Sequence, residues 1–452
     1  MKRIVYVLMF TWMMLAFFQT AAFAAENPPE LIAETAILID ATTGAILYEK
    51  NKDALMEPAS TTKMITCLLA IENLPLDKIV TVDAETPFTE GSRIYLEEGE
   101  EITVEELLYA LMIESANDTA VALAKEISGS VEGFADLMNE RARELGAKNP
   151  SFKNPNGLHL EGHFASAYDL AMIAKAGMEN PVFRMFVSTY KHTIPETNKK
   201  VERYIYNTNR LIYDEVTKVS VKGVMRPARY EGATGIKTGY TSHAGGCLVS
   251  GAKRDGTELI AVVLKSTDLN RYGDSIALLD YGFENYYTYK AVESGLELED
   301  LEVTRGTVNH VSVEIKEDMY LTLPREASPE LVTTEAVMDE IIVAPVAKGQ
   351  QVGKIEVYEG GSLVGEIPIL AAEDVPEGMF LSRFGVEDSV SAEVEKYVVI
   401  TAGTIVFFLL LFVSLRIRQK LRRKALREKR AREIAEDRAR KLKELEQRRW
   451  PY

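Results

Sequence analysis

Ser60-Thr61-Thr62-Lys63 sets a hydroxyl and an amine three residues apart. On a helix, residues i and i+3 share one face, so the lysine can stand beside the serine. A serine is a weak nucleophile until a neighbouring base takes its proton. The pair therefore suits covalent acyl transfer. Glu57-Pro58-Ala59-Ser60 leads into an apolar series of helical spacing: Met64, Ile65, Cys67, Leu68, Leu69 and Ile71. Pro58 and Ser60 are helix-start residues. Ser60 is thus expected where the free N–H groups of a helix start point outward. Another copy, Ser188-Thr189-Tyr190-Lys191, serves as a control, because His192-Thr193-Ile194-Pro195 follows and no helix continues from it. Two more short motifs stand downstream of Ser60. Ser115-Ala116-Asn117 and Lys237-Thr238-Gly239 each occur once. Each alone is weak, but their joint order and setting are a strong signal.

The set resembles that of the active-site serine penicillin-recognising enzymes. Several segments are similar to the serine D-alanyl-D-alanine carboxypeptidases of low molecular mass: Ile113 to Asp118, Met138 to Ala142, Glu144-Leu145-Gly146, Asn156-Gly157-Leu158 and Gly235 to Thr241. The resemblance covers residues 30–385. It implies an α/β (α+β) domain of the β-lactamase/transpeptidase type, with an antiparallel sheet flanked by helices. It implies removal of the terminal D-Ala from peptidoglycan stem peptides through an acyl-enzyme on Ser60, and inhibition by β-lactams. No metal or cofactor is implied. Lys63, when neutral, takes the proton of Ser60, and Ser115 relays it to the leaving nitrogen. Asn117 is expected to hydrogen-bond the substrate backbone. Lys237, Thr238 and Arg271 face the terminal carboxylate, and Gly239 leaves room for the substrate beside the strand. The backbone N–H groups of Ser60 and Tyr240 form the oxyanion site. Ala116 stands where the family commonly has Gly. A weak β-lactamase or a peptidoglycan endopeptidase on the same nucleophile is the alternative enzyme. A non-catalytic wall-binding protein is the other. Class A β-lactamases add a Glu-x-x-Leu-Asn segment that is absent from Pro155 to His163, where Glu161 is a lone loop carboxylate.

The elements that must position these residues are legible in the periodicity. Residues 37–48 read as a hairpin, 104–128, 131–146 and 166–178 as helices, and 247–252 and 259–264 as strands. A helix with an aromatic end is expected over 274–290. From 291 to 386, short alternating stretches with Gly-containing turns predict a small β-sandwich. The domains expected are thus 25–290 and 291–386.

Charge and hydropathy place the ends. The net charge of −16 argues against a nucleic-acid binder. From Arg416 onward there are 16 Lys+Arg against 6 Asp+Glu, so a basic tail follows an acidic body. Lys2-Arg3, the apolar run 4–18 and Ala22-Phe23-Ala24 have the order of a signal peptide, residues 1–24. After a stalk, 387–396, the uncharged stretch 397–415 is long enough to span a bilayer. The basic residues 416–452 are then expected in the cytoplasm, with the catalytic body on the other side of the membrane. Cys67 and Cys247 read as buried thiols. His159, His163, His192, His243 and His310 show no metal-ligand spacing.

Overall fold

The structure is a computed structural model that describes residues 28–339 and 341–447. The expected signal segment lies outside those residues. Five strands form the central sheet: β1 (Thr35–Asp40), β2 (Ile46–Lys50), β3 (Ala233–Thr241), β4 (Gly245–Arg254) and β5 (Thr257–Ser266). Their spatial order is β2-β1-β5-β4-β3, every pair antiparallel, with β3 at one edge. Successive strand residues point to opposite faces. Ile37 and Ile39 of β1 and Ile260 and Val262 of β5 therefore enter one apolar cluster. Leu38, Leu259, Ala261 and Val263 enter another.

A sheet buried on both faces needs helices on both. The first cluster takes in α1 (Lys63–Asn73), α2 (Val104–Tyr109), α3 (Asn117–Ser128), α4 (Val131–Glu144), α5 (Ala167–Glu179) and α6 (Pro181–Ser188). The second takes in Ile276, Leu278 and Leu279 of α7 (Asn270–Asn285). This is the antiparallel sheet flanked by helices that the resemblance implies. Buried Asp274, in α7, accepts from Ile32 N at 3.0 Å, Ala33 N at 2.9 Å and Ser266 Oγ at 2.8 Å. It ties the N-terminal segment to the end of β5. Both cysteines are free and buried, and burial raises both thiol pKa values, that of Cys247 to about 11.

Two elements differ from expectation. The helix expected over 104–128 is α2, a π-turn at Ala110–Glu114, and α3. The break is Ser115, left-handed at φ 64° and ψ 32°. Apolar residues continue on both sides of it, so the periodicity hides it. The helix expected over 274–290 begins at Asn270, and its aromatic end, Tyr286–Val292, is a strand paired with Met319–Pro324. Aromatic residues favour that extended state.

The chain divides into two compact units. The first extends to Val292 and takes in Asp318–Thr333 and Tyr358–Ser362. The single boundary expected after 290 thus becomes a boundary after Val292 with two returning segments. The first return is paired to Tyr286–Val292, and the buried Asp40 carboxylate joins both strands, accepting from Thr288 Oγ1 at 2.7 Å and Thr322 Oγ1 at 2.8 Å. Before its last helix the second unit is built of strands, with Val303, Val311, Val352, Ile355 and Ile369 buried among them. It ends in α8 (Asp388–Gln447), one continuous helix where a stalk, a span and a tail were expected. This helix is long and apolar enough to cross a membrane.

One loop is packed hard against the start of α1. Ser60 lies in a 3-10 turn, Ala59–Thr62, and Lys63 begins α1. Ala59 has φ 47°, a left-handed conformation that costs a non-glycine residue about 1–2 kcal/mol. The loop residue Gly157, at φ 82°, faces it, and a Cβ there would stand 1.8 Å from the Ala59 carbonyl oxygen. Gly146 has a similar φ of 92° but open space around it. Gly157→Ala should therefore cost about 2–5 kcal/mol, adding overpacking to backbone strain. Gly146→Ala should cost only about 1–2 kcal/mol. Thermal unfolding followed by circular dichroism ranks the two; equal midpoints would show that the loop yields.

Candidate active site

Lys63 is the centre of the site. Its side chain is fully buried, and its Nζ lies 2.9 Å from Ser60 Oγ, 2.6 Å from Asn117 Oδ1 and 2.7 Å from the Asn156 carbonyl oxygen. Burial holds its pKa well below the ordinary lysine value, and the charge of Lys237 adds to this, while Asp118 opposes. Ser60 itself is half-buried. His163 braces the turn: its Nδ1 accepts from Lys153 N, so its Nε2–H donates to Thr62 Oγ1 at 3.0 Å. Burial lowers the His163 pKa to about 4, which keeps the ring neutral.

The middle motif lies beside Lys63. Asn117, expected to hydrogen-bond the substrate backbone, also makes two bonds within the chain. Oδ1 accepts from Lys63, and Nδ2 donates to the Glu90 carbonyl at 2.7 Å. Its side chain fixes the lysine. Ser115 is buried at the end of the π-turn, and among the described residues its Oγ has no hydrogen-bond partner, Lys63 included.

Lys237, a residue of the edge strand β3, is buried and donates to the Thr238 carbonyl at 3.3 Å. Burial first, and then the charge of Arg271, lower its pKa to about 7, while Glu114 opposes. Thr238 Oγ1 is 2.6 Å from Thr208 Oγ1. Arg271 stands in the first turn of α7, buried, and donates to the Gly239 carbonyl at 2.8 Å. Asp268 pairs with it at 2.9 Å, while Asp274, on the same helix, is engaged with Ile32 N, Ala33 N and Ser266 Oγ. Gly239 also has a packing reason. A Cβ there would stand 3.0 Å from Ser60 N, 3.1 Å from Ala59 Cβ and 3.2 Å from the Pro58 carbonyl oxygen. Its lack of a side chain lets β3 pack against the nucleophile turn. Tyr240 is the next residue along β3, with an exposed side chain.

The other S-x-x-K copies lack this setting. Ser188 is exposed and bonds back to the Arg184 carbonyl at the end of α6. A third copy, Ser250-Gly251-Ala252-Lys253, lies in β4, where residues i and i+3 face opposite sides. Glu161 is exposed and makes no hydrogen bond to the Ser60–Lys63 pair. Sequence spacing did not show Asn156, Glu114 or Thr208 as site residues; the Asn156-Gly157 turn was the one available signal. Nor did it show that Glu57, His159 and His243 converge near the nucleophile turn.

Residues 21–268 match the model of the D-alanyl-D-alanine carboxypeptidase family, and residues 286–377 match the C-terminal domain of penicillin-binding protein 5. The chain is 36% identical to D-alanyl-D-alanine carboxypeptidase DacF of Bacillus subtilis, over 84% of this chain and 97% of the relative. It is 30% identical to DacC of Escherichia coli, over 81% of this chain and 90% of the relative. Among solved structures, penicillin-binding protein 5 of Haemophilus influenzae superposes with a TM-score of 0.64 at 30% identity, covering 78% of this chain and 99% of that one. With these matches running through the sheet, the helices and the Ser60–Lys63 pair alike, the chain belongs to the D-alanyl-D-alanine carboxypeptidase family of hydrolases.

Proposed function

We propose that this protein removes the terminal D-Ala from peptidoglycan stem peptides through an acyl-enzyme on Ser60. The observation that carries the reading is the buried Lys63 amine, 2.9 Å from Ser60 Oγ, with a pKa held far below that of an ordinary lysine. The stem peptide lies along β3 as an added strand, since β3 is an edge. Lys63 takes the Ser60 proton as Oγ attacks the penultimate carbonyl. The backbone N–H groups of Ser60 and Tyr240 receive the oxyanion. D-Ala leaves with a proton relayed through Ser115, and water then hydrolyses the ester. Asn117 keeps the Lys63 amine aimed at Ser60. Lys237, Thr238 and Arg271 form the end of the cleft that takes the terminal carboxylate. A β-lactam enters the same path and acylates the same oxygen. No observation favours a β-lactamase or an idle wall-binding protein.

We propose also that α8 crosses the membrane through residues 397–415, with 416–452 in the cytoplasm and the catalytic unit outside. The support is the change from an uncharged to a strongly basic stretch within one helix.

The chemistry is tested by release of D-Ala from a diacyl-Lys-D-Ala-D-Ala peptide. Ser60→Ala should abolish it. Lys63→Arg should reduce it by on the order of 10²-fold or more, because a guanidinium stays charged and cannot act as the base. The profile of kcat/KM should rise with pH as Lys63 loses its proton, and fall on the alkaline side as Lys237 loses its own. Both limbs should lie below the ordinary lysine range. A near-normal rate in Lys63→Arg would refute the role of the amine.

Topology is tested by adding protease to intact cells. The catalytic unit should be digested and an epitope placed in 416–447 should survive. Loss of that epitope from unbroken cells would place the basic segment outside.

A further inference from the structure

We infer that Glu57, His159 and His243 bind a divalent transition-metal ion, and that zinc suits their donors best. Glu57 Oε1 lies 3.0 Å from His159 Nδ1. The His159 and His243 rings are parallel, with centroids 4.0 Å apart. One donor atom from each of the three residues falls within 4.8 Å of the other two. Among the described residues this is the one group of three or more His, Cys, Asp or Glu donors that closes in this way.

The donor set selects the ion. Two imidazole nitrogens and one carboxylate oxygen, with a fourth position open to solvent, match zinc at about 2.0–2.2 Å. Calcium and magnesium prefer all-oxygen shells and are poorly served here. Stacked imidazoles must turn to aim two nitrogens at one ion. Both histidines are exposed, so no core packing opposes that rotation. Glu57 is the fixed member, with its side chain 20% exposed and its residue next to the Pro58–Ser60 turn.

The three ligands come from three segments that frame the nucleophile. Glu57 precedes Ser60 by three residues, His159 follows Gly157 by two, and His243 follows Tyr240 by three. A bound ion would tie the nucleophile turn, the Asn156–His159 loop and the turn after β3 to one another. That loop also supplies the carbonyl that holds Lys63. The site does not depend on the proposed reaction, and it is read without an activity assay.

The test uses the full-length protein in detergent, without a histidine tag, stripped by a chelator and then titrated with zinc chloride. We expect one zinc per chain and a rise in the thermal midpoint on loading. Cobalt(II) in the same site should give visible d–d bands of a four- or five-coordinate ion. His159→Ala, His243→Ala and Glu57→Gln should each weaken zinc binding by on the order of 10-fold or more. His192→Ala removes a histidine that pairs with a carboxylate, Glu106 at 2.7 Å, outside this group; it should bind zinc as the wild type does. Circular dichroism of the metal-free variants separates lost ligands from lost fold. Zinc uptake no greater than that of the folded His159→Ala/His243→Ala double variant would overturn the site, as would an equal loss in His192→Ala.

Discussion

A buried lysine amine with three polar contacts is the constraint on which the site depends. Asn117 Oδ1 and the Asn156 carbonyl can only accept. A neutral amine has two hydrogens and one lone pair. Those two acceptors take both hydrogens, which leaves the lone pair facing the Ser60 hydroxyl. An ammonium in the same place would have to donate to Ser60 as well, and that would hold the hydroxyl oxygen back from attack. Burial disfavours that charged form, and so does the neighbouring Lys237. The protonation state that suits a base is therefore the one the surroundings already favour.

Much of the first unit can be understood as what holds those three contacts in place. The π-turn and the left-handed Ser115 re-aim the chain so that α3 begins at Asn117. Asn117 Nδ2 is then anchored on Glu90, which fixes which end of the amide faces Lys63. Gly157 permits the Asn156 loop to lie against the Ala59 carbonyl, and Gly239 permits β3 to lie against Ser60 N. His163 clamps Thr62 from below while remaining neutral. Local strain at Ala59 and Ser115 persists because the surrounding packing over-determines it.

The strands and most of the helices were legible because alternation and helical spacing report burial, and burial is what the sheet and its flanking helices share. The Ser60–Lys63 pair was legible because helix geometry is local. Asn117 was found by its motif, but its bonds to Lys63 and the Glu90 carbonyl were not, because a motif does not say which way a side chain faces. Asn156 and Thr208 act through a backbone carbonyl and a hydroxyl at sites that spacing does not mark. The break at Ser115 was hidden, since a π-turn keeps the apolar face continuous. The return of Met319–Pro324 to the first unit was hidden for another reason: its partner strand, Tyr286–Val292, reads as a helix end, and Asp40, which bonds both strands, lies some 280 residues earlier.

The same electrostatics bears on why such a site, on the proposed reading, would trim an end and not cut a chain. Lys237, on β3, and Arg271 are both buried, and the charge of Arg271 raises the cost of charging Lys237. Asp268 offsets Arg271, and Glu114 only partly offsets Lys237, being itself held towards its neutral form by burial. With Lys237 charged, the pair thus carries more positive charge than these two acids balance. A terminal carboxylate supplies the missing negative charge where water is scarce and the interaction is strong. An internal peptide bond presents no such group, so it would leave the two cations as poorly balanced as before. Lys237 also helps keep Lys63 neutral, so the charge that would recognise the chain end is the charge that sets the base. On that reading, binding and proton transfer would be coupled through one ammonium group, and a substitution there would change both.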